Sequence, residues 1–510
     1  MTSIPKPARV LARDAEWAAL TQFVQHRDPR LRLGVVSGRR RVGKSFLLRA
    51  LAEATGGLYV AAVAEEGVVA ARRRLAAAIA RHAGIGPELV SDASWESLLS
   101  AAIELSSRRS GGEGPGVLVI DELPYWMAHS PELPGLLQLL YDRSQTEEGA
   151  PGGRVIVCGS AMSVMNELLS GTKALRGRAA IDLRLHPFDL STTARHWEIG
   201  DPAAALRVHA ILGGAPGYRN LANVDPPQSA AEVDVWAPAT VLDPRQALFS
   251  GSEAEYLLRE DPKFTGSALH YAIINAVANG ATSPSKIGGL LEQQRSSLTR
   301  PLEALTSAGY LRYDTDPLWE RRPVITVADP VIRFHNLITV AQRDLVETGQ
   351  SAEAWRRSRP TFLARVLGPH FESCARAWLR ARADPALRGH AGLVTSTVVN
   401  DRKGQAKHEI DVVALDKRAG RAEIALVGEA KATLLRRSVA DLDRLDRLKA
   451  LLAEQGHDAG KALLALFSME GFQPDLVDLA RRRGDVVLVD LAAVAGCGDP
   501  VVVPGVTGGV

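Results

Sequence analysis

Short apolar runs and segments of helical periodicity alternate along the first 190 residues. The apolar runs, each typical of a buried parallel strand, are residues 33–36, 57–64, 117–120, 154–158 and 181–185. Between them, residues 46–51, 68–82 and 95–107 place their apolar side chains on one face of a helix. This alternation predicts an α/β fold with a parallel sheet.

A different order of elements follows in the middle of the chain. Residues 267–279, 283–291 and 298–309 show helical periodicity, and residues 310–313 and 324–327 alternate as strands do. Ser283 and Pro284 supply an N-cap and a first-turn proline for the second of these helices. Three helices followed by a β-hairpin predict a winged helix-turn-helix.

Beyond residue 359 the pattern changes again. A helix that opens with Phe371 and Glu372 precedes two strands, at residues 409–415 and 423–431. Because side chains on a strand alternate with period two, Glu429 and Lys431 share a face. Asp411 lies beside them if the two strands form a hairpin.

Length and composition bound the class of protein. A chain of 510 residues is too long to fold around a single hydrophobic core, so three or four domains are expected. The hydrophobic share of 46% is ordinary for a soluble protein, and a net charge of +3 means that any nucleic-acid-binding face must be local. The three cysteines are far apart, which argues against disulfides and for a reducing compartment. With no signal peptide and no apolar run of roughly 20 residues, a cytoplasmic protein without a membrane partner is expected.

The segment after the first strand carries the strongest chemical signal. It reads GRRRVGKS and fits the phosphate-binding loop G-x-x-x-x-G-K-S between a strand and a helix. The residues predicted to bind the nucleotide are Gly38, Arg39, Arg40, Arg41, Val42, Gly43, Lys44 and Ser45. Lys44 would reach the β- and γ-phosphates, and the Ser45 hydroxyl would bind Mg²⁺. The alternative is a glycine-rich turn without a ligand, which leaves the full set of fixed positions unexplained. ATP and Mg²⁺ are therefore the expected cofactors.

Polar residues at the ends of later strands predict the hydrolytic half of this site. Asp121 is expected to bind the nucleotide's Mg²⁺, and Glu122 to polarise the attacking water. Ser160 is the candidate sensor of the γ-phosphate, with a helix N-cap as the alternative. Arg178 could reach the ATP of a neighbouring subunit, and an ordinary surface arginine is an equal alternative.

Together these motifs resemble a known family. GRRRVGKS, VIDE, GS and LRGR followed by HPF look like the motifs of the archaeal-type ATPases, a branch of the P-loop ATPases related to the STAND and AAA groups. Residues 211–218, ILGGAPGY, are similar to the GG-x-P-x-Y segment of the helical lid in that family. The resemblance also implies that residues 11–13 and Glu16 lie near the adenine, whereas a helix cap with a surface helix is an equal alternative.

The predicted winged helix has two interpretations. As a DNA-binding module, it would place its third helix in the major groove with Arg295, Thr299 and Arg300 as contacts. Arg321 and Arg322 on the wing would then reach phosphates. As a regulatory lid, the same module would pack on the ATPase. Proline at position 301 counts against base readout, because it restricts the start of the third helix.

The C-terminal carboxylates resemble those of the PD-(D/E)xK, or restriction-endonuclease-like, fold. Asp411 and Glu429, with the carbonyl of Ala430, would hold Mg²⁺ through hard oxygen ligands. Lys431 would orient or deprotonate the attacking water, and Glu372 would complete the metal shell. The alternative for an E-x-K sequence in a strand is a solvated edge.

The sequence predicts one architecture and is compatible with two functions. The expected fold is multidomain α/β, with an ATPase core at 1–190, a helical lid at 191–262, a winged helix at 263–345 and a nuclease-like domain at 346–510. The first hypothesis is an ATP-hydrolysing protein that controls a DNA contact and a metal-dependent nuclease site. The second is a STAND-type switch whose C-terminal domain binds a partner without cleavage. DNA is the expected nucleic acid, with RNA, a homo-oligomer and a protein partner left open.

Overall fold

The structure is a computed structural model of the 510-residue chain. It describes residues 4–86, 93–107, 116–171, 173–262, 264, 267–316, 318–319, 323–381, 387, 393–401, 404–418 and 421–503. Within these residues, none of the helices combines the length and the apolarity needed to cross a membrane.

A five-stranded parallel sheet forms the N-terminal part. Its strands are β1 (Arg32–Ser37), β2 (Leu58–Ala61), β3 (Leu118–Asp121), β4 (Arg154–Gly159) and β5 (Ala179–Arg184). They lie in the order β2-β3-β4-β1-β5, and all neighbouring strands are parallel. The predicted α/β fold with a parallel sheet is thereby confirmed, and each strand overlaps one of the predicted apolar runs.

Helices cover both faces of this sheet. They are α1 (Asp14–Val24), α2 (Lys44–Thr55), α3 (Val68–Ala83), α4 (Trp95–Ser107), α5 (Leu123–Met127), α6 (Leu133–Thr146) and α7 (Met162–Leu168). α1 and α2 pack on one face around Val36 and Leu47, whereas α3, α4 and α6 pack on the other around Leu99 and Val157. Because the strands are parallel, their carboxyl ends meet at one edge, and the loops that follow β1, β3 and β4 converge there.

A helical unit follows and is continued by the three-helix segment. Its helices are α8 (Leu190–Trp197), α9 (Pro202–Leu212), α10 (Ala230–Thr240) and α11 (Ser250–Arg259). Next come α12 (Ala268–Ala278), α13 (Pro284–Leu291), α14 (Arg295–Ser307), β6 (Leu311–Thr315) and β7 (Pro323–Val327), with β6 antiparallel to β7. α14 begins at Arg295, one of the residues predicted to contact DNA from the third helix, and contains Pro301 in its interior. The proline therefore does not mark the start of this helix.

Three short helices return the chain to the helical unit. They are α15 (Pro330–Phe334), α16 (Arg343–Glu347) and α17 (Ser351–Thr361). α17 packs against α10, where the indole nitrogen of Trp355 donates to the Asp234 carboxylate at 3.0 Å. Residues 346–361, assigned by the sequence to the C-terminal domain, thus pack on the helical unit.

A second five-stranded sheet forms the C-terminal part. Its elements are α18 (Gly368–Ala381), β8 (Leu393–Asp401), β9 (Ala406–Arg418), β10 (Arg421–Lys431), α19 (Val439–Glu454), β11 (Leu463–Ser468), α20 (Pro474–Arg482), β12 (Val486–Asp490) and α21 (Leu491–Val494). The order is β12-β11-β10-β9-β8, with β8-β9-β10 antiparallel and β10-β11-β12 parallel. α19 and α20 cover one face. α18 covers the other and shares one continuous hydrophobic core with α9.

The β6–β7 hairpin packs against the C-terminal part. The Asp316 carboxylate accepts from the Thr397 hydroxyl at 2.8 Å, and the Trp319 ring meets His457 edge-on at 5.4 Å between centroids. Arg312 also donates to the Ser373 hydroxyl at 3.3 Å. The hairpin thus links the three-helix segment to the second sheet.

Candidate functional site

The predicted phosphate-binding loop lies between β1 and α2, at the carboxyl edge of the first sheet. Arg41 and Gly43 have φ angles of 66° and 93°, so the backbone curls in the left-handed conformation at these two positions. The ammonium of Lys44 is buried and lies 3.2 Å from the carbonyl of Arg39. Gly43 caps α2 without a side-chain partner, which leaves the helix N-terminus open to an anion.

The carboxylates that end β3 lie next to this loop. Asp121 is buried, and its carboxylate accepts from the Tyr59 hydroxyl at 2.6 Å and from the Glu122 backbone N–H at 3.0 Å. Glu122 places Oε1 3.9 Å from the Lys44 ammonium. Ser160, at the end of β4, donates to Glu122 Oε2 from both its backbone N–H and its hydroxyl, each at 2.9 Å. The structure therefore brings Lys44, Glu122 and Ser160 together.

The environment of Glu122 favours a proton acceptor. Burial raises the pKa of Glu122, and this effect exceeds the opposing influence of Lys44. A carboxylate with a raised pKa is a stronger base than an exposed glutamate.

A cleft of about 710 Å³ opens beside the loop. The segment before α1, the loop itself and a turn at Pro216–Leu221 line it. The backbone N–H of Gly217 donates to the Arg41 carbonyl at 3.0 Å, and a side chain at Gly217 would collide with Arg41. Arg13 lines the cleft as well. It donates to the Val42 carbonyl at 3.1 Å, and its guanidinium lies over the Phe188 ring. The GGAPGY segment and residues 11–13 thus both border the predicted nucleotide site.

The three loop arginines bind acidic residues of distant segments, a role that the sequence analysis missed. Arg39 pairs with Asp329 at 2.5 Å, Arg40 with Glu260 at 3.2 Å and Arg41 with Glu253 at 2.5 Å. Each guanidinium also lies over an aromatic ring, those of Tyr310, Tyr256 and Tyr218 respectively. The carboxylate partners follow the loop by more than 200 residues, so no local pattern could have revealed them.

Glu260 also reaches one of the residues predicted to take part in hydrolysis. Its Oε1 accepts from Arg40 at 3.2 Å and also lies 2.5 Å from the Ser160 hydroxyl oxygen, so Glu260 and Glu122 share the single proton of that hydroxyl. The side chain of Glu260 is only 6% exposed. The Glu260 carboxylate thus accepts from the Arg40 guanidinium of the loop and from the hydroxyl of Ser160, the residue predicted to sense the γ-phosphate.

Arg178 lies apart from this group. Its guanidinium makes two hydrogen bonds of 2.9 Å to the Asp142 carboxylate on α6. Its role toward a neighbouring subunit stays a prediction.

The C-terminal carboxylates also come together. β9 and β10 form the expected antiparallel pair, which aligns Val412 with Gly428. Lys431 Nζ lies 3.5 Å from Asp411 Oδ2 and 2.9 Å from Glu429 Oε1. The Ala430 backbone N–H donates to Asp411 Oδ2 at 2.9 Å.

Two further arginines contribute to this site without a signal in the sequence. Arg444 on α19 donates to Glu429 Oε1 at 2.6 Å, and Arg376 on α18 donates to the Asp411 carbonyl at 2.6 Å. Both come from helices that pack on opposite faces of the sheet, so only the tertiary fold places them.

The electrostatics of this cluster favour a cation. Burial, followed by the neighbouring Asp411 charge, raises the pKa of Glu372 to about 8. Burial likewise raises the pKa of Asp411. Among the described residues, the buried Oε2 of Glu429 has no hydrogen-bond partner. A buried carboxylate oxygen without a described partner, on a residue whose charge also acts on Asp411, is a suitable ligand for a hard cation.

The residues predicted to contact DNA are only partly described. Arg295, Thr299 and Arg300 are exposed on the first two turns of α14. The far end of α14 packs on the N-terminal part, where Arg184 donates to the Ser307 carbonyl at 3.3 Å. Arg321 and Arg322 lie outside the described residues.

The sheet order, the GRRRVGKS loop after β1 and the acidic pair after β3 define a P-loop nucleotide-binding domain. No protein-family model and no curated protein matches the chain. Among solved structures, the chain is similar to the Walker-type ATPase PABY2304 of Pyrococcus abyssi, with 18% identity, a TM-score of 0.45 and coverage of 64% of this chain and 96% of that one. The ORC2 protein of Aeropyrum pernix follows with 15% identity, a TM-score of 0.40 and coverage of 68% and 96%. The STAND protein PH0952 of Pyrococcus horikoshii has 13% identity, a TM-score of 0.28 and coverage of 74% of this chain and 50% of that one.

Proposed function

We propose that this chain binds and hydrolyses ATP at the loop formed by residues 38–45. The observation that supports this most directly is the position of Glu122, which lies between Lys44 and Ser160 at the open edge of the sheet. Lys44 and the loop amides would bind the β- and γ-phosphates, which carry negative charge in the transition state. Ser45 and Asp121 would hold Mg²⁺, whose charge neutralises the phosphates when bound.

The residues of the chain account for the proton transfer. Glu122 accepts a proton from the attacking water, and its raised pKa suits that role. Ser160 fixes the Glu122 carboxylate through two hydrogen bonds, so that Oε1 remains directed toward Lys44. Arg178 would act only from a neighbouring copy, because in its own chain it binds Asp142.

The experiment that tests ATP hydrolysis compares the wild type with Lys44→Ala and with Lys173→Ala, which removes an exposed lysine. We expect Lys44→Ala to lose ATP binding and phosphate release, and Lys173→Ala to retain both. Equal phosphate release by wild type and Lys44→Ala would refute the proposal.

We further propose that the C-terminal cluster is a metal-dependent site for cleavage of DNA, in a restriction-endonuclease-like domain. The supporting observation is that Lys431 contacts both Asp411 and Glu429 while one oxygen of Glu429 has no described partner. Asp411, Glu429 and Glu372 would hold Mg²⁺, which would stabilise charge on the phosphate when bound. Lys431 would orient the attacking water.

A cleavage assay with purified variants tests this second proposal. Supercoiled, linear and single-stranded DNA are incubated with wild type, Asp411→Ala and Lys431→Ala, with ATP and divalent metal varied independently. Asp443→Asn, an exposed acid on α19, is the matched control. We expect cleavage by wild type and by the control only. Cleavage at equal rates by all four proteins would trace the activity to a contaminant.

The exposed arginines at the start of α14 support a DNA contact by the winged helix, with phosphate neutralisation as its main source of affinity. The ion pairs of the loop arginines with Glu253, Glu260 and Asp329 supply a route by which nucleotide could control it. Phosphates entering the loop would compete with these carboxylates for the same guanidinium groups. Release of Asp329 would act on the segment that directly follows the β6–β7 hairpin.

The same ion pairs favour the second candidate function, a nucleotide switch that does not cleave nucleic acid. The two functions differ in one measurement. A switch would bind DNA with an affinity that ATP and salt alter, and it would leave DNA intact under every metal tested. A nuclease would cleave DNA only with metal and with intact Asp411.

A further inference from the structure

We propose that His209, His370 and Cys374 form a binding site for a transition-metal ion such as Zn²⁺, which joins α9 to α18. One ring nitrogen from each histidine and the Cys374 sulfur all lie within 4.8 Å of one another. This site goes beyond the proposed function, because it belongs neither to the nucleotide loop nor to the cluster around Asp411.

The three side chains come from two helices that pack across the shared core. His370 and Cys374 are four residues apart on α18, so they project from the same face. His209 is on α9, 161 residues before His370 in the chain, and the His209 Nδ1 and His370 Nε2 atoms are 2.8 Å apart. All three side chains are buried, yet they line a cleft of about 670 Å³ from which an ion can enter.

The hydrogen bond on the far side of His209 selects the tautomer that a metal requires. His209 Nε2 lies 3.2 Å from the Phe188 carbonyl, which can only accept, so Nε2 carries the proton. The Nδ1 atom therefore presents a lone pair toward His370 and Cys374. A histidine ligand that donates its other N–H to a backbone carbonyl is a common arrangement in metal sites.

The electrostatics keep both imidazoles available. Burial lowers the pKa of His209 to about 4 and also lowers the pKa of His370, so both rings are neutral near pH 7. Burial raises the pKa of the Cys374 thiol to about 12. Binding would therefore release the Cys374 proton to solvent, and the His370 proton would leave Nε2 for Nδ1.

The distances suit a small rearrangement around an ion. Tetrahedral Zn²⁺, with bonds of about 2.0–2.3 Å, holds its ligand atoms roughly 3.3–3.8 Å apart. The ring nitrogens at 2.8 Å would separate slightly, and the sulfur would approach them. Two nitrogen ligands with one thiolate match the preference of Zn²⁺ and its neighbours rather than that of Mg²⁺ or Ca²⁺. Water from the cleft would supply the fourth ligand.

The position of the site gives it a consequence for the rest of the chain. The opposite face of α18 carries Glu372 and Arg376, and Arg376 donates to the carbonyl of Asp411 at 2.6 Å. An ion held between α9 and α18 would therefore fix the helical unit relative to the carboxylate cluster.

Cobalt binding tests the site on the full-length protein. Metal-free wild type is titrated with Co²⁺, and we expect one equivalent to produce a thiolate-to-cobalt charge-transfer band. Cys374→Ser should abolish the band, whereas Cys497→Ser, which removes an exposed thiol, should retain it. His209→Gln should weaken Co²⁺ binding by at least about tenfold. A band that persists in Cys374→Ser would overturn the proposal, as would its absence in wild type.

A second measurement needs no variant and so does not depend on mutant folding. X-ray absorption at the zinc edge is recorded on wild-type protein loaded with one equivalent of Zn²⁺. We expect one sulfur ligand together with nitrogen or oxygen ligands. A shell of nitrogen and oxygen alone would place the zinc elsewhere and overturn the assignment.

Discussion

Glu260→Gln is expected to tighten ATP binding. In the structure the Glu260 carboxylate accepts from Ser160 and Arg40, which are donors that an incoming γ-phosphate would use. Glutamine keeps the shape of the side chain and its capacity to accept a hydrogen bond, but it removes the negative charge. The variant should therefore lower the free energy needed to break the contacts of residue 260 with Ser160 and Arg40. It should also remove the repulsion between the Glu260 carboxylate and the phosphate.

The expected magnitude follows from the two contacts. A hydrogen bond to a charged group contributes about 1.5–3 kcal/mol, and an ion pair with a partly exposed partner contributes about 0–1 kcal/mol. Arg40 is 35% exposed, so its pair with Glu260 belongs to the weaker class. Because glutamine still accepts from Ser160, we expect a net gain of about 1–2 kcal/mol, or roughly 5–30-fold in affinity.

Isothermal titration with ATP and ADP measures this effect. The gain should be larger for ATP than for ADP, because only ATP places a phosphate near Ser160. Glu255→Gln is the matched control, since Glu255 lies on α11, which ends directly before Glu260, and pairs with Arg259 on the surface at 3.2 Å. Unchanged or weaker ATP affinity in Glu260→Gln would refute the view that this carboxylate competes with nucleotide.

Three further predictions concern other parts of the chain. Glu122→Gln should lower ATP hydrolysis by about 10²–10⁴-fold while ATP binding persists, and an unchanged rate of phosphate release would exclude Glu122 as the base. Arg300→Ala should weaken DNA binding and reduce the slope of log affinity against log salt concentration by about one. Arg343→Ala, which removes an exposed arginine elsewhere, should change neither quantity, and fluorescence anisotropy at several salt concentrations measures both. Burial lowers the pKa of His335 to about 4 in the folded chain. Below pH 6.5 the histidine is therefore protonated in the unfolded chain but stays neutral in the folded chain, and the free energy of unfolding falls as the pH drops toward 4. Between pH 7.5 and pH 5, the free energy of unfolding should fall by on the order of 1–2 kcal/mol less in His335→Phe than in wild type. Urea unfolding measures this difference, and an equal fall in both proteins would contradict the prediction.

The sequence by itself determined the first sheet and the nucleotide loop. Apolar runs of four to eight residues mark buried strands, and the GRRRVGKS segment fixes the loop because its chemistry is local. The pairing of Asp411 with Glu429 and Lys431 also followed from strand periodicity together with the single assumption of a hairpin. In each case the relevant residues are neighbours along one strand or across one turn.

Only the tertiary structure decided which distant groups meet. The carboxylate of Glu260 reaches Ser160 across 100 residues, and His209 meets His370 across 161 residues. Such contacts depend on how α11 docks at the nucleotide loop and how α18 packs against α9. This packing is set by burial of apolar surface that is contributed by residues from Met162 to Ala495. Burial also determines the charge states of these groups, because the pKa of an acid or an imidazole depends on its surroundings rather than on its position in the sequence.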